Sequence, residues 1–84
     1  MTTTTTQSVW EQRYDRIYQC RVERGDNSEG RLSIAYVGNG RPLIIHRQNV
    51  ALEYGSHFGA DNVAEWQATC DDCIRFPELR NPSQ

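Results

Sequence analysis

Lysine is missing from this sequence: all nine of its basic residues are arginine. A guanidinium fork binds carboxylate and phosphate with two parallel hydrogen bonds and suits protein interfaces. A GC-rich codon table leaves the same signature, so the bias alone makes no binding site. Cysteine is sparse and odd in number, with Cys20, Cys70 and Cys73 only, which fits reduced thiols in the cytoplasm better than a disulfide framework. No apolar run approaches the roughly 20 residues that cross a bilayer. Met1 and the threonines Thr2 to Thr6 lack the charged and apolar regions of a signal peptide, and read as a disordered head over residues 1–8. The net charge of -2 carries neither the basic excess that phosphate neutralisation requires nor the dense carboxylate run of a nucleic-acid mimic.

What remains is material for one modest core. The chain has 84 residues, 37% of them hydrophobic and 10% aromatic, which suits a single soluble domain with no deep substrate cavity. From Trp10 the even positions Trp10, Tyr14, Tyr18, Cys20 and Val22 alternate with the largely charged odd positions Glu11, Arg13, Asp15, Arg21 and Glu23, the period of a half-buried strand. Ser8 to Glu11 also has capping-box spacing, so residues 9 to 16 read as strand or as a short helix, while 17 to 24 read as strand either way. After the polar run from Gly25 to Gly30, Leu32, Ile34 and Tyr36 resume the alternation and predict a hairpin. Asn39-Gly40 predicts a second, through a tight turn with positive φ at both central residues. Leu43 to Arg47 reads as a third strand, and Val50, Leu52 and Tyr54 as a possible fourth.

Asp61 is placed as a helix N-cap, and Val63, Trp66, Cys70, Cys73 and Ile74 follow at helical spacing. Pro77 ends that helix, and residues 77–84 read as a flexible tail. The expectation is an α+β fold: an antiparallel three- to four-stranded β-meander with one C-terminal helix packed on one face, forming a single domain over residues 9–76.

The chemistry-bearing residues support little catalysis. Cys70-Asp71-Asp72-Cys73, with Cys20 and either His46 or His57, would supply a tetrahedral zinc site, yet both sulfurs of the pair sit on the apolar helix stripe, where cysteine packs as a small hydrophobe. Cys70 lies too far from the helix start for the dipole to stabilise a thiolate. Cys20 and His46 are cross-sheet candidates for a nucleophile and base but have no orienting third group. The sequence is therefore read as carrying no catalytic residue, metal or cofactor.

The favoured reading is a small protein-binding module, an inhibitor or adaptor that occupies a surface on a larger partner. Small phage or mobile-element proteins that block host or defence machinery are objects of this kind. Its expected contact residues are Tyr54, His57 and Phe58 on a glycine-flanked loop, with Arg41 and Arg47 projecting from one face of the third strand. The alternatives are a nucleic-acid-binding sheet face built from Arg31, Tyr36, Arg41 and Arg47, and a zinc-stabilised domain.

Overall fold

The computed structural model describes residues 9–25, 29–52 and 60–82. Four strands, β1 (Val9–Tyr14), β2 (Tyr18–Arg24), β3 (Glu29–Tyr36) and β4 (Leu43–Ala51), pair antiparallel in chain order. The helix α1 (Ala60–Arg75) and a 3-10 turn at Pro77–Leu79 complete the chain order. This is the α+β meander that the alternating pattern predicts. Strand, not helix, is the outcome at residues 9–14.

The alternation that runs unbroken from Trp10 to Val22 conceals a turn. Tyr14 pairs with Tyr18 across a three-residue connection, so even residues face even residues on both strands. Asp15 and Arg16 both adopt the left-handed region, at φ 50° and 58°, and the Ile17 N–H donates to the Tyr14 carbonyl at 2.9 Å. That is the hairpin turn with two positive φ values. At the Asn39-Gly40 site the geometry differs: Gly40 donates to the Val37 carbonyl at 3.1 Å, and only Gly40, at φ 81°, is left-handed.

In place of a strand ending at Arg47 and a second beginning at Val50, β4 runs unbroken from Leu43 to Ala51 with a bulge, and Tyr54 lies outside the described residues. Ile34 faces His46 while Ala35 faces Ile44, so Ile45 is an extra residue in the ladder. A bulge lets two successive side chains point the same way, and both Ile45 and His46 are buried.

One face of the sheet is sealed. Cys20, Val22, Leu32 and Ile34 have no solvent exposure and meet Trp66, Cys70 and Cys73 of α1. Each large apolar side chain so buried contributes about 1.5–3 kcal/mol before chain entropy is subtracted. Trp66 stacks obliquely on Trp10, their ring centroids 5.7 Å apart, and Gln67 donates to the Gln12 side-chain oxygen at 2.9 Å. These two contacts fix the helix over β1. Asp61 lies in the first turn of α1, which starts two residues earlier than an N-cap at Asp61 would place it.

At the end of the sheet, Leu52 folds over Gly30. A Cβ on Gly30 would come within 2.9 Å of a Leu52 methyl, so β3 needs glycine there for room.

Beyond α1 the chain returns to the sheet. The Arg80 guanidinium donates to the carbonyls of Cys73, at 2.8 Å, and Ile74, at 3.2 Å, satisfying acceptors that a helix C-terminus leaves open. It also stands 5.8 Å from the centre of the Tyr18 ring. Asn81 then bonds β4 twice, its N–H donating to His46 Nδ1 at 3.1 Å and its carbonyl accepting from the Arg47 N–H at 3.2 Å. Within the segment read as a tail, Pro77, Leu79, Arg80 and Asn81 thus take part in hydrogen bonds.

Candidate functional site

The helix covers one side of the sheet, and the odd-numbered residues of the first three strands face the other. Register sorts this open face into cross-strand rows. One row runs Glu11, Arg21, Ser33, Arg47, a second Val9, Glu23, Arg31, Asn49, and a third Arg13, Gln19, Ala35, Ile44. Neighbouring strands lie about 4.8 Å apart, so Arg21 and Arg47 flank Ser33 with about 10 Å between their backbones. A shallow groove of about 400 Å³ follows the middle of this face, with Ser33, Ala35 and Ile44 along it and Arg21, Arg31 and Arg47 among its walls.

The charges on this face are unevenly matched. Arg21 takes two carboxylates, Glu11 at 3.2 Å and Glu23 at 3.4 Å. Among the described residues, no carboxylate lies within 4 Å of Arg13, Arg31 or Arg47. Arg31 and Arg47, diagonal neighbours on β3 and β4, therefore stand beside the groove outside any ion pair among the described residues, with Glu23 opposite Arg31 as the carboxylate that also lines it. Parity is the sequence signal that sets Arg13 and Arg21 on this face as well.

Arg41 and Arg47 do not share a strand face. Arg41 lies exposed in the connection before β4, and the bulge at Ile45 breaks the parity that would align it with Arg47. Tyr54, His57 and Phe58 lie outside the described residues. Tyr36 packs against the core and meets Tyr18 edge-on at 5.6 Å, on the side of the sheet opposite Arg31 and Arg47. An arginine and tyrosine surface of the kind that stacks single-stranded bases is therefore split between two faces.

The cysteines and the histidine of the core are occupied in packing. All three thiols are free and buried. A hydrogen bond to the Cys20 thiol, then burial, pushes the Cys70 pKa up, and burial does the same for Cys73. Both are held as neutral thiols, poor nucleophiles. Cys20 and His46 occupy one cross-strand row with Ile34 between them, about 10 Å apart. His46 also spends both ring nitrogens, Nδ1 accepting from Asn81 and Nε2 donating to the Gln48 side-chain oxygen at 3.0 Å. Among the described residues no group of three or more histidine, cysteine or acidic side chains is placed to hold a metal ion. The Tyr14 hydroxyl is buried without a hydrogen-bond partner among the described residues, and its burial, with Cys70, Cys20 and Asp71 nearby, raises its pKa.

Compared with known proteins, the chain matches no family model, no curated protein sequence and no solved structure.

Proposed function

We propose that the chain is a non-catalytic binding module, an inhibitor or adaptor that lays the open face of its sheet on a larger protein partner. The observation that carries this reading is the open face itself, where Arg31 and Arg47 stand beside a groove without carboxylate partners among the described residues. Two unneutralised guanidiniums on adjacent strands repel each other, and an acidic surface laid across them removes that cost. The carboxylates Glu11, Glu23 and Glu29 on the same side disfavour a continuous polyanion and favour a partner with separate charges of both signs. Tyr54, His57 and Phe58 belong to the proposal on sequence grounds, as aromatic anchors beside the sheet.

Among the described residues no helix is long and apolar enough to cross a membrane. Three buried free thiols suit a reducing compartment, and the reading places the module in the cytoplasm.

The test is affinity capture from the native host, followed by binding kinetics with the purified partner. Charge reversal at Arg31 or Arg47 is expected to slow association and flatten its salt dependence, while Phe58→Ala speeds dissociation. Unchanged binding in all three variants would show that the contact surface lies elsewhere. Capture of nucleic acid, with affinity falling steeply with salt, would favour the phosphate-binding alternative.

A further inference from the structure

The two edges of the sheet are finished differently. On β4, the Arg47 N–H is bonded to the Asn81 carbonyl and the bulge at Ile45 bends the strand, two devices that keep an edge from pairing. On β1, no described residue outside the β1–β2 hairpin offers a backbone hydrogen bond to the strand. Its outward amides and carbonyls form a template for another strand.

We infer that β1 pairs antiparallel with β1 of a second copy of this chain. The residues from Trp10 to Tyr14 are their own complement in that arrangement. With Gln12 on the two-fold axis, Glu11 faces Arg13 of the second copy, Arg13 faces its Glu11, and Trp10 and Tyr14 face each other in the same reciprocal way. Within one chain Arg13 has only Gln19 across the ladder and no carboxylate within 4 Å among the described residues. The pairing supplies one, and leaves Glu11 between its own Arg21 and the second copy's Arg13.

An axis perpendicular to the sheet keeps like faces together, so both helices lie on one side of a continuous eight-stranded sheet and the two open faces merge on the other. Because the β4 edge is blocked, the assembly closes at two copies instead of growing into a fibre. With one short strand per copy at its centre, the interface is at the small end of specific contacts, and the dimer dissociates on dilution.

The experiment is sedimentation velocity on the full chain across a wide dilution series, with circular dichroism confirming the fold of each variant. The expected result is a monomer–dimer equilibrium in which Arg13→Glu raises the dissociation constant about tenfold or more, because the two-fold axis doubles each new like-charge pair. The swap E11R/R13E restores the dimer, since it exchanges the charges while keeping every pair opposite. A chain that stays monomeric at all concentrations overturns the inference. So does a dimer indifferent to Arg13→Glu, a double variant no better than the single one, or an open-ended polymer.

Discussion

Residues adjacent in sequence have opposite surroundings on the two faces of the sheet. Cys20, Val22 and Leu32 are sealed beneath α1, while Arg21, Glu23 and Arg31, each one position away, stand exposed. The helix stripe of Trp66, Cys70 and Cys73 is large enough to cover one sheet face and is spent there. This chain thus divides its work by parity, with stability on the even positions of the first three strands and recognition, in our reading, on the odd ones.

This division of labour fails if a covered residue proves dispensable. Trp66→Ala is expected to cost about 3–5 kcal/mol, from lost transfer energy and the cavity left between α1 and Trp10, as measured by urea unfolding. Near-normal stability with impaired binding would move the interface to the helix side. At the margin of the same face, Gly30→Ala is expected to cost about 1–3 kcal/mol by forcing Leu52 aside. Pairing it with Leu52→Ala should cost less than the two separate losses combined, since the clash then has no partner.

Arg80→Ala tests the same division at a polar residue, because this arginine serves the covered side without being apolar. Its loss leaves the Cys73 and Ile74 carbonyls without their guanidinium donor and is expected to cost about 1–2 kcal/mol. A smaller effect, of opposite sign, is expected at the first turn. Arg16→Gly should stabilise the fold by about 0.5–1 kcal/mol, as glycine takes the left-handed conformation without the Cβ penalty. Smallest of all, Arg31→Ala and Arg47→Ala should change unfolding free energy by less than about 0.5 kcal/mol while weakening partner binding. A large stability loss from either would mean that the open face supports the fold as well.

Much of the architecture was legible because burial follows a period. Even positions from Trp10 to Tyr36 and the helix stripe from Val63 to Ile74 announced the two surfaces that meet in the core. The turns were harder. Asp15-Arg16 carries no glycine, and its connection preserves the alternation on either side, so nothing in the pattern marks where β1 ends and β2 begins. At Asn39-Gly40 a hairpin signal is present, but the connection is longer and leaves Asn39 outside the left-handed region.

The candidate site was less legible for a related reason. A single inserted residue, Ile45, separates Arg47 from the parity of Arg41, and a bulge has no composition of its own. The attachment of residues 77–82 was equally hidden. It depends on Arg80 meeting helix carbonyls and Asn81 meeting His46, pairings that span up to 35 positions and leave no local period.

The position of Asn81 against β4 also bears on how the molecule carries a load. The chain enters the sheet at Val9 on one edge and fastens at Asn81 to the other, so a pull applied between these residues acts across the strands, not along them. Ladder bonds loaded in that direction open one after another, like a zip, where bonds loaded along the strands would have to break together. Stretched between Val9 and Asn81, this sheet should give way at low force, peeling from its edges.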